Sequence, residues 1–136
     1  MAIDKISTEI RSAQDYLLDG VTVPQNTNTV GSANLVGGAQ AALEIVVEAK
    51  TALAIADTKN INIKLTASDT EGGTFTDLVT LYDLTAAGGN GAIVAGTILG
   101  RYVYKPSDPL WTKAVVSTTD AAATGTVDAY VRYISR

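Results

Sequence analysis

The chain has 136 residues, of which 46% are hydrophobic and 18% are charged, and its formal net charge is −4 at pH 7. This length suits one folded domain, and the sequence pI near 4.6 with dispersed cations argues against a nucleic-acid partner. Histidine and cysteine are absent, which excludes zinc enzymes and hydrolases that use a cysteine or a serine–histidine pair.

The first twenty residues form a segment with its own pattern. Apolar residues recur there at nearly helical spacing: Ile3, Ile6, Ile10, Ala13 and Leu17. This spacing is typical of a short amphipathic helix, and an extended arm is an equal alternative. Residues 20–38 lack periodicity and predict a loop, with a short strand at residues 33–36. We therefore predict an N-terminal arm over residues 1–20 and a β-sandwich domain over residues 21–136.

Alternation of apolar and polar residues predicts the strands of that domain. The alternating runs occupy residues 43–50, 60–67, 98–105, 111–118 and 126–134, and residues 74–82 form a further β-rich run after a turn. A period of two is that of a half-buried strand. The Ala-rich residues 49–58 fit a helical turn or a strand, and we favour a strand. The two most regular strands predict these core residues: Ile61, Ile63, Leu65, Val127, Ala129 and Val131. Short strands without helical crossovers predict an all-β, antiparallel sandwich or barrel.

Two loops have partial similarity to ligand-binding motifs. Residues 88–91 read Gly-Gly-Asn-Gly, but no Lys-Ser or Lys-Thr follows, so we interpret them as a hairpin or inter-sheet loop rather than a nucleotide site. Asp69 and Glu71 resemble half of a calcium loop, yet the next carboxylate is Asp77, which favours a solvated turn. We predict that the protein has no metal and no cofactor.

Carboxylates and tyrosines are the remaining candidates for chemistry. The 14 acidic residues fall mainly at turns or on polar strand faces, where a catalytic acid with a raised pKa is not expected. Tyr102 and Tyr104 share one strand face, and Tyr130 shares another with Arg132. We interpret these tyrosines as packing groups, with any exposed ones serving as protein-interface anchors. The sequence therefore predicts a binding protein and not an enzyme.

The sequence predicts neither a membrane-spanning segment nor a secretory signal. The longest apolar stretch covers residues 92–99 and contains Gly96, whereas a membrane helix needs about 20 apolar residues. The charges of Asp4 and Lys5 also argue against a secretory signal at the start. We expect no membrane partner.

Several short strings run through the strands and turns of the β domain. They are residues 65–69 (Leu-Thr-Ala-Ser-Asp), 73–77 (Gly-Thr-Phe-Thr-Asp), 94–98 (Val-Ala-Gly-Thr-Ile), 111–116 (Trp-Thr-Lys-Ala-Val-Val) and 125–129 (Gly-Thr-Val-Asp-Ala). Together with Ser12-Ala13-Gln14 in the arm, they make the chain resemble the capsid cement, or decoration, proteins of tailed bacteriophages. The sequence departs from that family at Leu110-Trp111-Thr112, where members often carry Arg-Tyr.

The resemblance implies a jelly-roll-like β domain on the outer surface of an icosahedral phage capsid. Its implied partners are the major capsid protein, whose neighbouring subunits it ties together, and copies of itself, as a trimer rather than a dimer. We expect the arm to contact a neighbouring subunit or capsid protein instead of its own core. The expected interface residues are Ile3, Ile6, Ile10, Tyr16 and Leu17. Two other functions stay open: a fibre or receptor-binding head module, and a carbohydrate-binding or enzymatic β domain.

Overall fold

A computed structural model describes residues 16–24, 28–30, 34–35, 43–105 and 107–133, and all regular elements among them are β-strands. The strands are β1 (Tyr16–Thr22), β2 (Asn28–Val30), β3 (Asn34–Leu35), β4 (Leu43–Ala49), β5 (Leu53–Ala54), β6 (Asn60–Ser68), β7 (Thr76–Thr85), β8 (Ala92–Ile93), β9 (Ile98–Val103), β10 (Trp111–Thr118) and β11 (Thr126–Tyr133). Within the described residues, no helix is long and apolar enough to cross a membrane.

The strands form two main antiparallel sheets and one small one. The first sheet has the order β1-β11-β4-β9, the second has the order β2-β10-β6-β7, and β5 pairs with β8. Strand β3 also pairs with β10, on the residues next to those that β2 occupies, so β2 and β3 act as one interrupted edge strand.

The path of the chain between the sheets identifies the fold. It starts in the first sheet with β1 and enters the second with β2 and β3. It returns to the first with β4, and then places β6 and β7 in the second. It ends by alternating again through β9, β10 and β11. This connectivity, in which only β6 and β7 are consecutive neighbours, is that of a jelly roll. The predicted all-β sandwich of jelly-roll type is confirmed.

One hydrophobic core lies between the two sheets. Ile61, Ile63 and Leu65 of β6 have no exposed surface, and the same holds for Val127 and Ala129 of β11. Each fully buried side chain of this size stabilises the fold by about 1.5–3 kcal/mol relative to an exposed one. These five residues were predicted to be core, and the prediction is confirmed.

The sixth predicted core residue is only partly buried. Val131 lies near the end of β11 and packs against the core from its margin. Its register partner Ile45 on β4 is fully buried. The alternation of a strand predicts the face on which a side chain lies, but burial also depends on how far the opposite sheet extends.

Residues 49–58 contain much less strand than predicted. Apart from Ala49 at the end of β4, only Leu53–Ala54 forms a strand there, and it pairs with Ala92–Ile93. The chain turns at residues 56–59, where the Lys59 N–H donates to the Ala56 carbonyl at 3.1 Å. Thr58 occupies that turn with φ at +72°, a left-handed conformation that a β-branched residue rarely adopts.

The segment predicted as an arm or helix contributes strand β1 to the first sheet. Tyr16–Thr22 pairs antiparallel with β11, and the register shifts on both sides of Leu18. Because such irregularities break the alternation of a strand, the adjacent side chains of Leu17 and Leu18 are both buried, with 2% and 1% exposure. The predicted boundary after residue 20 is therefore wrong for residues 16–20, while residues 1–15 lie outside the described residues.

Candidate functional site

The five residues predicted to form an interface have different outcomes in the structure. Leu17 lies in the core of its own chain, so the prediction that it anchors a partner is wrong. Tyr16 is half-buried, with its ring centroid 5.9 Å from that of Tyr130. Ile3, Ile6 and Ile10 lie outside the described residues. Burial of Leu17 was not visible in the sequence because it depends on pairing with β11, more than 100 residues away.

The outer face of the first sheet carries a layer of polar and aromatic side chains over an apolar centre. Val46 of β4 lies between the buried core residues Ile45 and Val47 and therefore faces outward, yet it has no exposed surface. Its register partners are Tyr130 on β11 and Arg101 on β9. These larger neighbours flank Val46 on both sides of its strand.

The acidic groups of this outer face already have partners. Glu44 Oε1 lies 3.3 Å from Arg132 Nε and 3.8 Å from Arg101 Nη1. The Tyr130 hydroxyl donates to Glu48 Oε1 at 2.6 Å. The backbone N–H of Gly20 donates to the Asp128 carboxylate, also at 2.6 Å. These contacts order the face, and two of the acidic groups that make them are largely buried, with Glu44 at 13% side-chain exposure and Asp128 at 9%.

A shallow hollow of about 420 Å³ lies between the β5-β8 ribbon and the turn after β10. It is lined by Ala54, Ile55, Ala56, Asp57, Gly89, Ala92, Asp120 and Ala122. Its two carboxylates receive hydrogen bonds from the backbone. Asp120 accepts from the N–H groups of Ala56 and Ala122, both at 2.8 Å, and Asp57 accepts from Gly89 at 3.0 Å.

The backbone donors to Asp120 affect its ionisation. They stabilise the ionised carboxylate and hold the pKa of Asp120 below its ordinary value, with Ala56 making the largest contribution and Lys59 adding a smaller one. A carboxylate held in this way is a poor proton donor near neutral pH. The described residues also contain no group of three or more acidic side chains able to hold a metal ion.

The two loops with partial motif similarity fold as ordinary turns. Gly88 and Gly89 have positive φ values in the connection from β7 to β8, and Asn90 Oδ1 accepts the Ala87 N–H at 2.7 Å. No helix follows in the described residues, so this connection lacks the helix start that a phosphate site requires. At the other loop, Ser68 Oγ accepts the Thr70 N–H at 3.2 Å, which closes a solvated turn.

Two tyrosines form hydrogen bonds that hold the loop between β9 and β10 in place. The rings of Tyr102 and Tyr104 meet edge to face with centroids 6.1 Å apart. The Tyr102 hydroxyl donates to Asp108 Oδ2 at 2.6 Å, and the Tyr104 hydroxyl contacts Thr112 Oγ1 at 2.7 Å. Burial raises the pKa of both phenols, and the Asp108 carboxylate raises that of Tyr102 further. Their packing role was predicted from the shared strand face, and it is confirmed.

Exposed apolar side chains concentrate around β9. Four large apolar residues are exposed in the described part of the chain: Val94 at 75%, Val103 at 52%, Leu110 at 41% and Ile98 at 40%. Three of them lie on β9 or in the turn that precedes it. The Thr97 N–H donates to the Val94 carbonyl at 3.2 Å, so this turn keeps Val94 close to the start of β9.

Strand β7, the neighbouring edge of the second sheet, is apolar but only half covered. Its large apolar side chains are all partly exposed: Leu78, Val79, Leu81, Tyr82 and Leu84. The backbones of β7 and β9 approach so closely that a Cβ on Gly100 would lie 2.7 Å from the Leu81 carbonyl oxygen. We call these five residues, with Val94, Ile98 and Val103, the β7–β9 edge.

This edge was not predicted, although the sequence contains a signal for it. In β7 the apolar residues come in adjacent pairs, Leu78-Val79 and Leu81-Tyr82, instead of alternating. The pairing of β7 with β6 shifts register at two places. The residues skipped at these places are Leu81 and Leu78, so the adjacent apolar pairs of this strand coincide with its bulges.

No protein-family model, curated protein sequence or solved structure matches the chain. The fold and the surface geometry of the described residues define a jelly-roll domain with an apolar edge, a polar outer face and a shallow hollow.

Proposed function

We propose that this chain is a structural virion protein that binds the outer surface of an icosahedral phage capsid and stabilises contacts between major capsid subunits. The observation that carries the proposal is the jelly roll whose exposed large apolar side chains gather at one edge. Jelly rolls recur in viral capsid domains, but a fold alone does not define a function. The resemblance of several short strings to those of capsid cement proteins provides the second support.

The apolar edge suits a protein that acts through contact area. Val94, Ile98 and Val103 belong to a strand and a hydrogen-bonded turn, so little conformational freedom is lost when a partner covers them. Apolar surface removed from water contributes about 25 cal/mol per Å². Many copies on one lattice add avidity to a modest contact. A catalytic role is not part of the proposal.

The proposal includes self-association, as a trimer in preference to a dimer, because a decoration protein occupies symmetry axes of the shell. Ile3, Ile6 and Ile10 are the proposed anchors towards a neighbouring subunit or capsid protein. Tyr16, the fifth proposed interface residue, begins β1 and lies beside Tyr130 on the outer face of the first sheet.

The direct test mixes the purified protein with empty shells assembled from the major capsid protein of the same genome. We expect the chain to sediment with the shells in a fixed ratio to capsid subunits, and to raise the temperature at which the shells disassemble. Unassembled capsid subunits provide the control and should bind less. Failure to sediment with the shells at saturating concentration would refute the proposal.

A carbohydrate-binding function, alone or within a receptor-binding head, is the second candidate. The observation that favours it is the hollow beside Asp57 and Asp120, because carboxylates at a concave surface can accept sugar hydroxyls and jelly rolls also occur in lectins. A glycan array tests it, with Asp57→Asn as the variant. Binding that disappears in this variant would establish the second candidate, and no binding to any glycan would remove it.

A further inference from the structure

We propose that the β7–β9 edge is the surface through which copies of this chain associate, with the acidic β7 side of one copy against the basic β9 side of the next. The inference rests on the proposed self-association and names the surface responsible for it. The partner is a second copy of this chain, and the contact has an apolar centre flanked by charges of opposite sign.

The first observation is that core-facing side chains are less buried on β7 than on the central strands. Most inward-facing residues of the central strands β4, β6, β10 and β11 are almost completely buried, as Ile45, Ile63 and Val116 show, although Val131 near the end of β11 is not. On β7 the residues that pair with this inner face, Val79, Tyr82 and Leu84, remain partly exposed. In the part of the chain that the structure describes, eight hydrophobic residues pack against the core but stay partly exposed, and five of them lie on β7.

The second observation is the sign of the charges on the two sides of the edge. Strand β7 carries Asp77, whose side chain is 70% exposed, and Asp83, which is also exposed. Strand β9 carries Arg101, with 51% of its side chain exposed, and is followed by the exposed Lys105. The charged residues of β7 itself are therefore both acidic, and that of β9 itself is basic.

Contacts within the chain leave these charges available. Asp77 lies 3.0 Å from Lys64 Nζ. Asp83 accepts a hydrogen bond from the neutral amide of Asn60 at 2.8 Å. Arg101 lies 3.8 Å from Glu44, at the outer limit of an ion pair. None of these contacts buries the charged group, so each can also face an opposite charge on another copy.

The arrangement of the two strands makes the surface self-complementary. Strands β7 and β9 belong to different sheets that meet at this edge. The edge therefore forms a corner, and the outward faces of the two strands point in different directions from it. When two such corners meet, the β7 side of one copy can lie against the β9 side of the other. A two-fold contact satisfies both charge pairs at once, and a closed ring of three satisfies one pair at each interface.

The test compares molar mass by light scattering and sedimentation velocity for the wild-type chain and two variants. Ile98→Asp with Val103→Asp places charges in the apolar centre. Leu110→Asp is the matched control, because Leu110 is 41% exposed and Ile98 is 40% exposed, but Leu110 lies outside the edge. We expect the double variant to weaken association by at least about 100-fold and the control to associate like the wild type.

Charge reversal supplies a second, independent measurement that does not disturb apolar packing. Asp83→Arg and Arg101→Asp should each weaken association, and the two changes combined should restore part of it. Circular dichroism confirms that each variant is folded. A wild-type chain that stays monomeric at its highest soluble concentration would overturn the inference, as would edge variants that associate like the wild type.

Failure of the proposed β7–β9 contact can be distinguished from failure of the proposed capsid function. A chain that associates through the edge but does not sediment with shells would refute only the capsid function. Folded edge variants that keep their oligomeric state would refute only the edge, whatever their binding to shells.

Discussion

Truncation of Leu17 tests whether the start of the described chain belongs to the sandwich or to a partner. Leu17 is 2% exposed and packs in the common core. In the Leu17→Ala variant, three carbon atoms leave a site that solvent does not reach. At about 0.8 kcal/mol for each buried carbon, the lost transfer energy is about 2.4 kcal/mol.

The cavity that remains raises this loss. Leu→Ala substitutions in packed cores cost about 2–5 kcal/mol, depending on how far the surroundings relax. Because β1 is an edge strand of the first sheet, partial relaxation is expected, and we predict a loss of about 3 kcal/mol in the free energy of unfolding. This is a large part of the roughly 5–15 kcal/mol that stabilises a typical domain.

Urea unfolding followed by the fluorescence of Trp111, the only tryptophan, measures the loss. Protein concentration must be equal in all samples, because self-association adds to apparent stability. Asp19→Ala in the same strand is the control. Its side chain is 62% exposed and lies 3.8 Å from Lys50, so its removal should change stability by less than about 0.5 kcal/mol. Unchanged stability of Leu17→Ala, with a smaller oligomer, would refute the core assignment and restore Leu17 as a partner anchor.

Three further predictions follow from individual residues. Ile63→Asp places an unpaired charge where no surface is exposed and should abolish folding, as circular dichroism would show; a soluble, stable variant would contradict this. Thr58→Gly relieves a positive φ of 72° and should raise the free energy of unfolding by about 0.5–1 kcal/mol in urea, whereas a loss would show that the threonine side chain stabilises the turn. Burial and Asp108 raise the pKa of Tyr102, so its contribution is fully present below about pH 10 and falls as the unfolded chain ionises above that pH. Tyr102→Phe should therefore flatten the alkaline loss of stability, and an unchanged pH profile would contradict that assignment.

The central strands were predictable from the sequence because their burial is periodic. Strands β4, β6, β10 and β11 each lie between two neighbours, so one face is covered along its length and apolar residues recur with a period of two. The predicted run at residues 111–118 coincides with β10, and the run at residues 60–67 falls one residue short of β6. The all-β class followed from these strands.

The edge strands were less predictable: β1 was not predicted as a strand, whereas β7 and β9 were predicted at residues 74–82 and 98–105 but not as edges. Strand β1 is paired with β11 through contacts such as that of Gly20 with Asp128, which are 108 residues apart, and no local pattern encodes such a pairing. Strand β7 contains two register shifts, which interrupt the alternation that a sequence pattern detects. The candidate site lies along these edges, so its position depends on which strands end the sheets and not on any local motif.

The uneven distribution of charge along the sequence corresponds to an uneven distribution of charge on the folded domain. Residues 1–100 contain 5 basic and 11 acidic residues, a balance of −6, whereas residues 101–136 contain 5 and 3, a balance of +2. The fold places the start of the basic segment, at Arg101 on β9, directly beside the acidic strand β7. A chain with one sign of charge along that edge would repel its own copies. Charges of opposite sign on the two sides of an apolar centre instead make the surface complementary to itself. Two copies of the chain can therefore bind through this same surface.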